Sequence, residues 1–453
     1  MTTGVAPAGA APAGVAPAGV APARVAPARV APTSAAPTSV ASFPQVDADA
    51  VLGRYRAHLS AGRASLGTMF GGDIEVASEG AWVYTASGRA LLNCGGYGVL
   101  LMGARHPRVV EEVTRQLATN PVATRLLLEP QVAAAAEELA GVTPPGLDRV
   151  HFAGAGAEAV EAAIKMARTQ GRTHLISMCN GYHGKTLGAL SVTAKDVFQA
   201  PFRPLLPKVA HVPYGDARAL RRRLARNEGK ACVIVEPVQG EAGVVVPPEG
   251  YLREVEALCR RYGAFFVLDE VQTGLGRLGH WWGADREGVR PDVLLVGKGL
   301  SGGVVPVSAA VATAEAFRAF DRDPFLHTST FSGNPLAMAA ARGAIRAIQE
   351  DGLVERAARI GAVLKTEIER IARAVFGARL AEVRGVGLLI GVELTVPGLA
   401  GDLLLELISA GVIANHSLNS DAVLRLTPPA ILTDEEVQML LDRFEQAARA
   451  ALQ

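Results

Sequence analysis

The stretch Pro291–Gly303, PDVLLVGKGLSGG, sets a short apolar run, Val293–Val296, directly before Lys298 and a glycine-rich turn. Upstream, Phe265–Arg277 reads FFVLDEVQTGLGR, a second apolar run that ends in acid. Runs this short and this uniformly apolar read as parallel strands buried on both faces. Asp269 then stands at the C-terminal end of a strand, where open α/β sheets gather their ligands. Asp269 and Lys298 are 29 residues apart, enough for a crossover between neighbouring strands. A carboxylate and a lysine at two strand ends suit a pyridoxal phosphate (PLP) site. There the lysine forms the Schiff base and the acid pairs with the pyridinium nitrogen.

Working outward, residues from about Val99 to His327 alternate apolar runs with helical patterns, which predicts a large α/β domain with a mostly parallel sheet flanked by helices. Strands are expected at Leu175–Met178, Cys232–Val235, Phe265–Leu268 and Val293–Val296, and helices at Pro107–Leu117 and Glu158–Arg168. Residues 43–98 form an N-terminal segment of a smaller domain, with WVYTASGRALLN (Trp82–Asn93) as a hairpin. Residues 328–453 supply the rest of that α+β domain, beginning with a long alanine-rich helix after Asn334.

Residues 1–42 are different material: VAPAG, VAPAR and APTS units with almost no large apolar side chains. Proline this frequent interrupts helices and sheets, and alanine and glycine bury too little to offset ordering entropy. A disordered tail or a polyproline-II linker is expected, or else a start codon assigned too early; a basic start and compact apolar core, as in a signal peptide, are missing.

The 453 residues carry 45 basic and 44 acidic side chains, so the near-zero net charge gives no case for nucleic acid or an anionic membrane as partner. No stretch is long and apolar enough to predict a membrane span. Four scattered cysteines without CxxC pairing predict neither a disulfide framework nor a zinc site, and fit a cytoplasmic location. His106, His151, His183, His211, His280, His327 and His416 are too dispersed for a metal site, so none is expected.

Three further stretches complete a pattern: GYHGKTLGALSVTAK (Gly181–Lys195), PFRPLLPKVAHVPYGD (Pro201–Asp216) and PFLHTSTFSGNP (Pro324–Pro335). With the acid and lysine motifs, in this order, the chain from about Leu66 onward resembles the class III (ornithine/putrescine-type) aminotransferases of PLP fold type I. Within them it is most similar to putrescine aminotransferases. The resemblance implies a cofactor, pyridoxal 5'-phosphate, and a homodimer with a shared active site. It also implies amino transfer from a terminal primary amine, such as a diamine or ornithine, to a keto acid such as 2-oxoglutarate, by a ping-pong mechanism.

It further implies roles residue by residue. Lys298 holds PLP and moves the proton; Asp269 serves the ring nitrogen, with a helix N-cap as its bland alternative. Gln272 bonds the phenolic oxygen, and Tyr182 stacks on the ring unless it is an ordinary core tyrosine. In HFAGAGAEAVEAAIKMAR (His151–Arg168), a strand end, glycine turn and helix start offer backbone N–H groups to a phosphate. Relatives carry Ser-Gly-Thr there, whereas this chain has Ala155, Gly156 and Ala157, leaving the backbone donors of Gly156 and Ala157. Weaker PLP retention is expected. Lys185 matches an arginine that takes a distal carboxylate, but is a point charge without the fork, or simply an exposed lysine. Glu241 (EPVQGEAG) and Arg425 (LRLTPP) match a switch in which the arginine binds a substrate α-carboxylate and the acid covers it otherwise. Thr330 matches a residue that reaches the neighbouring subunit's phosphate, or else caps the helix at Asn334–Pro335. The rivals are a same-fold aminomutase or decarboxylase, a weakly PLP-binding non-catalytic relative, and a scaffold protein built around the repeat tail.

Overall fold

The computed structural model describes residues 46–453, so the expected tail at 1–42 lies outside the described residues. Fifteen strands form three sheets among those described. They are β1 (Glu75–Glu79), β2 (Trp82–Thr85), β3 (Ala90–Asn93), β4 (Arg149–Ala153), β5 (His174–Met178), β6 (Val209–Val212), β7 (Ala231–Val235) and β8 (Phe265–Asp269). They continue with β9 (Val293–Val296), β10 (Ser308–Ala312), β11 (Leu380–Val386), β12 (Leu389–Leu394), β13 (Val412–Ile413), β14 (Asn415–Ser417) and β15 (Ser420–Leu426).

The large sheet has seven strands in the order β4-β10-β9-β8-β7-β5-β6. Strands β5 to β9 pair in parallel, and β10 runs antiparallel to both β9 and β4. The reversal has a simple cause: residues 297–307 are too few for a crossover helix, so the chain turns straight back. Successive side chains go to opposite cores. Leu268, Leu294 and Val296 join one, while Val267, Val293 and Leu295 join the other, beneath the helix Gly156–Thr169. Burial on both faces is why these strands read as continuous apolar runs.

The Trp82–Asn93 segment is the expected hairpin, with Trp82 opposite Leu92 and Tyr84 opposite Ala90. Its strand β3 pairs in parallel with β13 from the far end of the chain. The third sheet, in the order β11-β12-β15-β14, is covered by the helices Leu353–Phe376 and Leu399–Ser409, and the helix Asp434–Ala450 packs on both of these. The alanine-rich helix after Asn334 spans Pro335–Glu350, and a second helix, Leu353–Phe376, follows Gly352, which takes φ +60°. Asn334 caps the first through Oδ1, which accepts from Ala337 N–H at 2.9 Å, so Thr330 is not the cap. No helix among the described residues is long and apolar enough to cross a membrane.

Candidate active site

The turns after β4, β8 and β9 converge at the C-terminal edge of the large sheet. Asp269 is the last residue of β8 and is buried. It is no helix cap. Its Oδ2 lies 2.7 Å from His183 Nδ1, and its Oδ1 accepts from Val271 N–H at 3.1 Å. Lys298 follows β9 and Gly297, with φ +45°, a left-handed conformation uncommon for a lysine. Its Nζ donates to Gln272 Oε1 at 2.5 Å. Burial pulls the Lys298 amine down to about 8; Arg425 adds to this, and Glu241, Asp269 and Glu236 oppose it. A lysine poised there is part neutral near physiological pH, as a nucleophilic amine needs to be.

His183 is the functional residue that sequence reasoning passed over, counting it only among dispersed histidines. Burial alone would lower its imidazole, but the Asp269 hydrogen bond and charge, with Glu236, raise it on balance. The His183 Nδ1 hydrogen bond to Oδ2, with Val271 N–H on Oδ1, holds Asp269 in one orientation. Nothing in the local sequence announces a pairing made across the fold. Glu236 is a second such residue: burial, above all, pushes its carboxyl up to about 8, and its Oε2 accepts from Tyr182 N–H at 3.2 Å.

Glu241 and Arg425, far apart in sequence, form a buried ion pair, Oε1 to NH1 at 2.7 Å, with exposures of only 5% and 1%. Burial would raise the Glu241 carboxyl, yet Arg425, Lys298 and a Leu418 N–H bond hold it below its ordinary value. Arg425 keeps its Nε without a hydrogen-bond partner. Tyr182 is half-buried, its phenol pushed up by burial and then by Glu241 and Tyr97. Lys185 is exposed, its ammonium 4.1 Å from the Phe198 ring centroid, and Thr330 is exposed in the loop before Asn334.

At the turn after β4 the helix begins at Gly156, two residues earlier than expected, with Ala155 as a cap that lends no side chain. Glu158 Oε2 takes the Gly154 N–H at 2.7 Å. The first-turn N–H groups of Gly156 and Ala157 point out of the helix end without intrahelical partners. A Cβ on Gly156 would meet Val271 Cγ1 at 3.1 Å, and one on Gly184 would meet the Ala157 Cβ at 2.6 Å. Both glycines keep this cradle open. Arg277, at the end of the Asp269 loop, is buried and donates to the carbonyls of Pro428 (2.6 Å), Leu388 (3.3 Å) and Gly98 (3.3 Å). Desolvation brings its guanidinium down to about 9.

The residues fit a phosphorylated aromatic aldehyde with a basic ring nitrogen. A phosphate suits the open helix end, an aldehyde suits Lys298, and a protonated ring nitrogen suits the Asp269 carboxylate. The buried Gln272 Nε2, without a partner in the protein, is a donor left for a further ligand oxygen.

The family model described as aminotransferase class-III matches residues 73–448. An ornithine aminotransferase from Toxoplasma gondii ME49 is similar at 31% identity and TM-score 0.82, over 89% of this chain and 95% of that one. An acetylornithine aminotransferase from Elizabethkingia anophelis is 30% identical, TM-score 0.73, over 83% and 93%. An (S)-enantioselective omega-transaminase from Thermomicrobium roseum is 27% identical, TM-score 0.83, over 90% and 100%. The match across most of the chain leads to one conclusion: the chain belongs to the class III aminotransferases, enzymes of fold type I that transfer amino groups with pyridoxal 5'-phosphate.

Proposed function

We propose that this enzyme takes the amino group from a terminal primary amine, a diamine such as putrescine or an ornithine-like donor, and passes it to 2-oxoglutarate or a similar keto acid in a ping-pong cycle. The observation that carries the reading is the buried Glu241–Arg425 pair beside Lys298. Such a pair lets one pocket take a substrate without a carboxylate, with the arginine covered, and then a carboxylate, with it uncovered.

When bound, the cofactor supplies an aldehyde carbon for the amino group and a ring that draws electrons from the donor carbon. The chain's residues do the rest. Lys298 Nζ would hold the aldehyde carbon, and as a free amine it would be the base that accepts the proton from the donor carbon and passes it on. Asp269, oriented by His183, keeps the proton on the ring nitrogen. Gln272 donates to the phenolic oxygen, and Tyr182 stacks on the ring. Gly156 and Ala157 give their N–H groups to the phosphate, and the helix dipole adds to their pull. Lys185 takes the distal carboxylate of a dicarboxylate, leaving the Phe198 ring to do so.

The working unit is a homodimer, with Thr330 reaching the phosphate bound by the neighbouring subunit. The exposed apolar side chains Leu126, Leu127, Leu128, Phe325 and Phe331 flank this loop and support that reading. Arg125, bonded to the Ser329 carbonyl, ties the two segments together. Free cysteines, three of the four buried, support a reducing cytoplasm. The test is an absorption spectrum of the PLP-loaded protein before and after putrescine, without keto acid. Bleaching of the visible band supports the diamine half-reaction. A band that stays while ornithine and other terminal amines also fail refutes the donor class.

A further inference from the structure

The ion pair at Glu241 is held from a third side. The two-residue turn Leu418–Asn419 joins β14 to β15, the strand that carries Arg425. Leu418 N–H donates to Glu241 Oε2 at 3.1 Å, while Oε1 faces Arg425. The next residue, Asn419, donates its backbone N–H to the Glu241 carbonyl at 2.9 Å. The turn is itself tethered on its far side. Asn419 Nδ2 donates to the Asn180 carbonyl at 2.7 Å, and Lys195 Nζ donates to the Asn419 carbonyl at 2.8 Å. Asn180 stands two residues before Tyr182, and Lys195 two residues after Thr193, whose hydroxyl accepts from His183 N–H.

From this geometry we infer that the Leu418–Asn419 turn is a specificity latch, which holds Glu241 over Arg425 and biases the pocket toward amine donors without an α-carboxylate. The inference rests on the proposed pairing of Arg425 with a substrate carboxylate. To uncover Arg425, the Glu241 carboxylate has to rotate away and give up the Leu418 N–H. The turn cannot follow it, because Asn180 and Lys195 hold Asn419 in place. The main chain of Glu241 cannot follow either, because Asn419 N–H holds its carbonyl. An amine without a carboxylate binds with the latch closed. A keto acid or α-amino acid has to open it, and part of its binding free energy is consumed in doing so. Asn419 and Lys195 therefore set substrate preference without touching substrate: they are positioning residues.

The two half-reactions separate this role from a merely structural one. The full-length protein, loaded with cofactor, is mixed rapidly with 2-oxoglutarate in its amino form and with putrescine, or another amine that bleaches the visible band, in its aldehyde form. In Asn419→Ala the half-saturating 2-oxoglutarate concentration should fall about two- to tenfold, the range spanned by one neutral hydrogen bond. The limiting rate should stay, and half-saturation by the amine should hold or rise. Lys195→Met, farther from the pair, should move 2-oxoglutarate in the same direction, and retention of the visible band reports on folding in both variants. Half-saturation that shifts equally for both substrates, or for neither, overturns the latch. Arg425→Gln distinguishes the two ways of failing. If it raises half-saturation by 2-oxoglutarate while Asn419→Ala does nothing, the latch alone is wrong. If it leaves 2-oxoglutarate unaffected, Arg425 is not the carboxylate site and the latch falls with that reading.

Discussion

Replacing Lys298 by methionine should stabilise the cofactor-free protein at neutral pH, and the gain should disappear in alkali. In the folded chain burial, above all, brings the lysine from its ordinary 10.5 to about 8. Each pH unit of such separation corresponds to about 1.4 kcal/mol. Charged Lys298 therefore costs the folded state about 3 kcal/mol, and about 1 kcal/mol returns through its hydrogen bond to Gln272. Below pH 8 the lysine is protonated in both states, and the cost is felt in full. Between about 8 and 10.5 the unfolded chain still binds the proton while the folded chain has released it, so wild-type stability climbs with pH. Above that window both states are neutral. Lys298→Met should accordingly exceed wild type by about 2 kcal/mol at pH 7 and lose this advantage near pH 10, in urea unfolding of both cofactor-free proteins. A stability difference that does not change with pH would refute the argument, because it would mean that Glu241, Asp269 and Glu236 fully compensate the buried charge. The same titration predicts that apoprotein captures PLP faster as pH rises through about 8.

Two further changes test the neighbouring groups. His183→Phe removes the 2.7 Å partner of Asp269 and leaves a buried carboxylate with one remaining donor, Val271 N–H. Stability should fall by about 2 kcal/mol, typical of a lost hydrogen bond to a charged group, and an unchanged urea midpoint would show that Asp269 does not depend on His183. Ala157→Thr puts a hydroxyl back at the helix end, so PLP titration of apoprotein should show about ten- to hundredfold tighter binding, the value of one charge-assisted bond. Unaltered affinity would mean that the backbone donors already satisfy the phosphate.

Strands β8 and β9 were readable because both faces are buried, which leaves an unbroken apolar run ending at Asp269 or just before Lys298. By contrast β10, SAAVA, is mostly alanine and carries little strand signal; the sheet accepts it because its neighbours β4 and β9 leave a slot between them. The helix at Gly156 begins with glycine and alanine, so its first turn looks like loop, and the sequence expectation started it at Glu158. Within the site, Lys298, Asp269 and the 155–157 turn stood out because each follows or ends a recognisable element, whereas Gln272 was singled out only by the resemblance. His183 was not, because its role depends on a carboxylate 86 residues away. The Leu418 contact could not be read at all: its donor is a main-chain N–H, which every residue but proline possesses.

The Arg277 joint has a consequence for how such an enzyme can diversify. Its guanidinium reaches main-chain carbonyls at Gly98, Leu388 and Pro428, groups that persist whatever side chains those positions carry. Three distant stretches of chain are thereby fastened to the loop that bears Asp269 and Gln272 by acceptors that mutation cannot remove. Exposed residues around them can drift without loosening the joint, which depends on the arginine side chain and on main-chain oxygens. A library built on this scaffold can vary exposed positions around these carbonyls for new amines while Gly98, whose φ is +75°, and the buried Leu388 and Pro428 stay, and the fastening of the cofactor loop carries over from one member to the next.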